Sequence, residues 1–155
     1  MLDVSGVRGF GSAEVGMTSD GEATVVWLAG DRSIRAATAA PGGAFDGAGA
    51  QVVDRLSEQT VASLALAETP EGHAVIAYAE KYQPYQGMAP PPPDCHPDGS
   101  CSPTPGPTYA PLWAAARAGH GQLFAPAVPA APVGGDFVSA ALNANGAALL
   151  TAMQM

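Results

Sequence analysis

The chain has 155 residues, enough for one ordinary domain with a real core. Apolar residues make up 47% of it and charged residues only 13%, and the net charge is -8; a phosphate backbone or an anionic lipid surface would be repelled, with no basic stripe to offset the repulsion. No apolar run approaches the roughly 20 residues that a helix needs to cross a bilayer.

The N-terminal Met1-Leu2-Asp3-Val4-Ser5-Gly6 lacks a basic n-region and an apolar h-region and does not read as a signal peptide. Either the protein is cytosolic or the chain begins inside a longer one, and the repeats below favour the second. The first predicted strand is Ala13 to Met17, followed by the turn pair Asp20-Gly21 and a second strand ending at Trp27. A third short strand covers Ile34-Arg35-Ala36-Ala37, with a turn at Gly42-Gly43 and then Phe45. The pattern then restarts. Val61 to Ala67 leads into Glu71-Gly72 and the run Ala74 to Ala79, and Trp113-Ala114-Ala115-Ala116 aligns with the segment at Ile34, followed by Gly121 and Phe124. A third start runs from Phe137 to Leu142, through Asn145-Gly146, into Ala147 to Ala152. Each unit reads strand, Gly turn, strand, because Gly supplies the positive φ that a tight hairpin requires.

Gly21 and Gly72 are 51 positions apart, and Gly72 and Gly146 are 74 apart, the excess falling in a Pro-rich stretch. A sandwich strand with one wet face alternates apolar and polar residues. Ala74 to Ala79 and Ala147 to Ala152 do not alternate, which suits an inner blade strand covered on both faces. The expected fold is therefore all-β: a partial β-propeller of two to three blades of short antiparallel strands, with about 50 residues per repeat. Because a closed propeller needs at least four blades, the chain reads either as a fragment of a larger propeller or as part of a ring closed by self-association through exposed blade faces.

Residues 83–111 form the predicted insertion and hold ten of the fifteen prolines, a composition that favours a polyproline II surface excursion. Both cysteines lie there, in Cys95-His96-Pro97-Asp98-Gly99-Ser100-Cys101. The Pro-Asp-Gly turn brings their ends together, so a Cys95–Cys101 disulfide is expected, with the oxidising compartment it implies. A zinc site on Cys95, His96 and Cys101 fits less well, since paired zinc cysteines are spaced two to four apart and four ligands are needed. Tyr82, Tyr85 and Tyr109 flank the insertion. They are either packing residues at the blade edge or contacts of a binding loop, since long insertions in compact folds often carry function.

Catalytic patterns are thin. His73, His96 and His120 read as turn or surface residues, no Gly-x-Ser-x-Gly occurs, and the Gly pairs are turns that do not make a phosphate loop. No catalytic, cofactor or metal residue is assigned.

The unit of Asp-Gly, small apolar strand and Trp or Tyr, then a short Ala-rich strand, Gly turn and Phe, resembles bacterial sialidase-like propeller repeats from about Gly11 to Met155. That family's Asp box reads Ser/Thr-x-Asp-x-Gly-x-x-Trp/Phe; Thr18-Ser19-Asp20-Gly21-Glu22-Ala23 matches its first and third positions, with Glu22 at the Gly position. The resemblance implies the fold and an exported parent protein. The family's substrate-binding arginines and Tyr–Glu pair are not carried over, because no motif assigns Arg8, Arg32, Arg35, Arg55 or Arg117 such a role. Three functions follow as expectations: a non-catalytic segment that binds a protein or glycan or acts as a scaffold, a piece of a glycoside hydrolase completed by further blades, or a truncated reading frame.

Overall fold

A computed structural model describes residues 13–45, 49–56, 60–82, 108–132 and 134–153. Every regular element in it is a strand. The first sheet is β1 (Ala13–Met17), β2 (Ala23–Leu28), β3 (Ser33–Ala39) and β4 (Gln51–Arg55), antiparallel neighbours in chain order. The second is β5 (Thr60–Glu68), β6 (His73–Tyr82), β7 (Thr108–Ala118) and β8 (Val128–Ala131), wound the same way. A hairpin follows, β9 (Phe137–Leu142) and β10 (Ala148–Met153).

The repeat is physical. The three Gly turns share one geometry, with φ of +87° at Gly21, +83° at Gly72 and +78° at Gly146. In each, the residue three before the Gly accepts the Gly N–H and donates its own N–H four residues onward: Thr18 to Glu22, Thr69 to His73, Asn143 to Ala147. Successive turns also touch, since Ser19 N–H and Oγ both donate to the Pro70 carbonyl at 3.3 and 3.1 Å.

The sheets stack face to face, with β5 packed against β1 on one side and β9 on the other. Cross-strand partners share a face, so the register says which residues meet. Val26, Ile34 and Ala36 of the first sheet pack with Leu64, Ile76 and Tyr78 of the second. Ala65, Ala77, Ala79 and Leu112, on the opposite face of the second sheet, pack with Val138 of the hairpin. The two-sided burial expected of β6 is present: it is buried at every position from Ala74 to Glu80. Small side chains suit this close stacking, because a pleated strand between two sheets has no wet face left.

The same expectation for Ala147 to Ala152 does not hold. β10 is exposed at five of its six positions, for among the described residues only one of its faces has a neighbouring sheet and β9 is its one strand partner. The all-β architecture of antiparallel strands stands, and the described strands form sheets of four, four and two without closing a ring.

Two boundaries differ from the sequence expectation. Ala37 and Ala115 are opposite equivalent residues of β2 and β6 (Val25 and Ile76), which aligns Ile34 with Leu112 and not with Trp113. The turns after these strands keep the expected alignment, Gly42 with Gly121, so Ala118 is one extra residue at the end of β7. The second difference is at the insertion. Tyr109, Ala110 and Pro111 belong to β7, because Pro111, which has no N–H, falls at a register shift where Ala110 and Pro111 oppose Glu80 alone.

Gly72 tests the turn geometry. A Cβ there would lie 2.7 Å from the His120 backbone nitrogen, whereas at Gly42, also at positive φ (+69°), it would meet nothing within 4 Å. Gly72→Ala is expected to cost about 2–3 kcal/mol and Gly42→Ala about 1 kcal/mol, the strain of a left-handed Ala alone, as read from urea denaturation midpoints.

Candidate functional site

The predicted site residues divide. Cys95, Cys101 and Tyr85 lie outside the described residues. Tyr82 and Tyr109 sit at the far ends of β6 and β7, where Lys81 opposes Tyr109 and Tyr82 opposes Thr108, so both backbones stand where the Pro-rich stretch leaves the second sheet.

Beside that exit lies a group the sequence did not reveal. β4 brings Asp54 to the face of β6, and the hydroxyl of Tyr78 donates to Asp54 Oδ2. Tyr78 is fully buried, and burial first, then the hydrogen bond to the Asp54 carboxylate, push its phenol far above the ordinary value. Two residues on, Glu80 is also buried. Its carboxyl is raised by burial and then by the charge of Asp54. A phenol held protonated out of solvent is a hydrogen-bond donor and a poor nucleophile. The sign for Glu80 is that of a raised carboxyl: its contribution to stability is present below the ordinary carboxylate range and is lost as pH rises through its folded value. Glu80→Gln is therefore expected to unfold at higher urea than the parent chain at neutral pH, with the difference shrinking as pH falls below that range.

The opposite end of the sheets, where the Gly turns gather, holds the second group. Arg117 projects from β7 and its side chain is completely buried. Nε donates to the Gly72 carbonyl at 3.1 Å, and Nη2 donates to Glu22 Oε1 at 3.1 Å, Thr24 Oγ1 at 3.0 Å and Glu68 Oε1. The Thr24 hydroxyl donates to the same Glu68 oxygen at 2.9 Å, and the Phe124 ring lies under the guanidinium, 5.6 Å from centroid to Cζ. Glu22 and Thr24 belong to the first sheet side of the interface and Glu68 and Arg117 to the second, so this is a polar clamp between sheets. Burial raises the Glu68 carboxyl, with the nearby Glu22 charge adding to the rise, against the opposing Thr24 hydrogen bond and Arg117 charge; Glu68 Oε2 and Arg117 Nη1 are buried without a hydrogen bond. His120, in the turn after β7, stands 3.8 Å from Glu22 and 4.0 Å from Asp20.

A cavity of about 240 Å³ beside the clamp is lined by Arg117, Gln51, Gln122 and Phe124. Gln51 is held across it, its amide exchanging two hydrogen bonds with the Phe124 backbone at 2.7 and 2.8 Å. The corresponding place between the second sheet and the hairpin is a cavity of about 290 Å³, lined by His73, Val75, Leu142 and Ala148 among others. Among the described residues no cluster of three or more His, Cys, Asp or Glu side chains is arranged to hold a metal. Arg35, on the inner strand β3, pairs with Asp31 of the preceding turn at 2.7 Å.

Fold and clusters together define an all-β repeat protein in which successive antiparallel sheets are joined by buried apolar faces and one buried charge clamp. No protein-family description, no curated protein and no solved structure matches the chain.

Proposed function

We propose that the chain is a non-catalytic segment of a β-propeller that binds a protein or glycan, or acts as a scaffold, in an exported or cell-envelope protein. The observation that carries this is the ionic side chains at the sheet interface, which are spent on each other: Arg117 is enclosed by Glu22, Glu68 and Thr24, and Tyr78 is bonded to Asp54 within the core. Adjacent first strands and repeated Gly turns support the propeller arrangement. The binding surface is assigned to the Pro-rich stretch between β6 and β7, framed by Tyr82 and Tyr109, with a Cys95–Cys101 disulfide closing a small loop in it. Intact-mass analysis with and without reductant tests the disulfide, and two free thiols in material from an oxidising compartment would remove it.

Binding is tested on a glycan and peptide array with the full chain and with a variant whose residues 84–107 are replaced by a short Gly-Ser turn. The expected result is binding by the full chain and its loss in the variant, with an unchanged thermal melt. Equal binding by both would remove the loop from the function. Hydrolysis of a fluorogenic sialoside by the full chain would replace the whole reading with a glycoside hydrolase.

A further inference from the structure

The first interface shows what covers a sheet face in this chain. There Ala36 of β3, 4% exposed, packs with Ala115 of β7 and with Phe124, so the third strand of one sheet lies over the third strand of the sheet before it. The second interface is built by two strands only. β9 lies against β5 and β6, and β10 against β6, so β7 and β8 run on past the edge of β10. Ala114, at the repeat position of Ala36, is half-buried, and Ala116 and Val128 beside it are exposed.

The outer edge of β10 stands beside this apolar shelf. An exposed edge is a template for another strand, and proteins blunt such edges with charges, prolines or bulges. The outer edge strands of the two four-stranded sheets follow that rule: β4 carries Asp54 and Arg55, and β8 carries Pro129. β10 has none of these devices, and no charged residue occurs from Phe137 to Met153.

The cavity of about 290 Å³ at the turn end of the shelf is the counterpart of the Arg117 clamp. By the register of the Gly turns, His73, Val75 and Leu142 in its wall stand where Glu22, Thr24 and Glu68 enclose Arg117, and Gly146 stands where the Gly72 carbonyl accepts Arg117 Nε. Arg117 opposes Ala74 on β6, and the same place here lies opposite Ala148, on the outer side of β10. Both carboxylates of the clamp are replaced, so the cavity suits a large uncharged side chain, whereas a guanidinium would be buried unpaired.

We propose that the edge of β10 and the shelf beside it bind an extended strand of a partner protein, antiparallel to β10. The bound strand carries a bulky apolar side chain opposite Ala148, in the cavity, and a small residue opposite Leu150, where β7 uses Ala115. Main-chain hydrogen bonds supply the affinity and the cavity the selectivity. A second copy cannot offer its own β10 here. Antiparallel pairing of two identical edges needs a two-fold axis perpendicular to the sheet, which puts both second sheets on the same side, with β7 and β8 of each in the space of the other. The slot is separate from the Pro-rich stretch assigned above, so a loop without a ligand leaves it untouched.

Two labelled peptides with the sequence of residues 112–119, one natural and one with Arg117→Phe, each with the same lysine tail, are titrated with the full chain by fluorescence anisotropy. The Phe peptide is expected to bind and to slow amide hydrogen exchange in β10, and the Arg peptide to bind about tenfold more weakly. Ala116→Arg in the protein, at an exposed shelf position, should weaken the Phe peptide by a similar factor with an unchanged circular-dichroism melt. The variant with residues 84–107 replaced should bind the Phe peptide as the full chain does. Binding of neither peptide, equal binding of both, no protection of β10, or an Ala116→Arg protein that binds like its parent would each overturn the proposal. So would self-association of the parent chain that Ala116→Arg abolishes, which would put a second copy in the slot. Peptide binding that appears only after residues 1–12 or 84–107 are removed would put the chain's own segment there and overturn it as well.

Discussion

Replacing Arg117 with Met is expected to cost about 3–5 kcal/mol of stability, because it strands the Glu68 and Glu22 carboxylates beside a buried apolar stem. The Glu68 side chain is only 1% exposed, so water cannot take over from the guanidinium. Arg117→Lys is expected to recover little, since one ammonium cannot reach the Gly72 carbonyl and the Glu68, Glu22 and Thr24 oxygens together. The loss depends on pH. Burial already holds the Glu68 carboxyl above its ordinary value, and without Arg117 it rises further. A raised carboxyl withdraws stability as pH climbs through its folded value, so the gap between variant and parent widens from acid to neutral pH. Urea denaturation at several pH values measures both.

The natural repeats supply the compensating change. Leu142 and Val75 occupy, at the second interface, the places of Glu68 and Thr24 at the first. Adding Glu68→Leu and Thr24→Val to Arg117→Met removes the two most deeply buried charges and installs the apolar pair the chain already uses once, leaving Glu22, whose side chain is 15% exposed, to turn toward solvent. Most of the lost stability should return, since replacing a buried ion pair by packed apolar groups is often neutral or better. A triple variant as unstable as Arg117→Met would mean that the clamp contributes more than removal of an unpaired charge explains.

The sequence carried the strands well where the signal was local. Ala13–Met17 and Phe137–Leu142 were bounded correctly because the Gly turns after them punctuate the chain at fixed offsets, and all three Gly residues take the positive φ that made them recognisable. The run Ala74 to Ala79 announced two covered faces by its lack of alternation. Ala147 to Ala152 shows the limit of that signal: composition says what a strand can pack against, and only the neighbouring sheets decide whether it does. The one-residue misalignment at Ile34 and Leu112 has a similar cause, since Ala-rich strands offer little to fix register until the partner strand does so.

The clamp and the Asp54–Tyr78–Glu80 group were not legible for a different reason. Arg117 lies 95 positions from Glu22 and 49 from Glu68, and Tyr78 lies 24 from Asp54. No spacing rule links such residues, as they meet only through the stacking of sheets. One signal was available. In an Ala-rich strand of a chain with six basic residues, a lone Arg at the end of Trp113-Ala114-Ala115-Ala116-Arg117 marks a place where a charge is tolerated among small residues, and such a charge needs a partner.

Ile76→Ala is expected to remove about 4 kcal/mol, near the upper end for deletion of a large buried aliphatic side chain. Ile76 has no exposed surface and stands on β6, the strand whose neighbours on both edges are β5 and β7. It belongs to the cluster that joins Val26, Ile34 and Val53 of the first sheet to Leu64 and Tyr78 of the second. The cavity has little means of collapsing. The surrounding side chains are held by two hydrogen-bonded sheets, and the opposite face of β6 is occupied by the packing of Ala77 and Ala79 against Val138. At this chain length the loss corresponds to roughly 8–16 °C in Tm. Val128→Ala, at a 58% exposed position on β8, should change Tm by no more than a degree or two, within the range usual for surface substitutions. A small effect at Ile76 would mean that the first two sheets are not packed in solution through this face. The first two sheets would then unfold in separate steps, whereas a shared core makes a single transition the expected form for the parent chain.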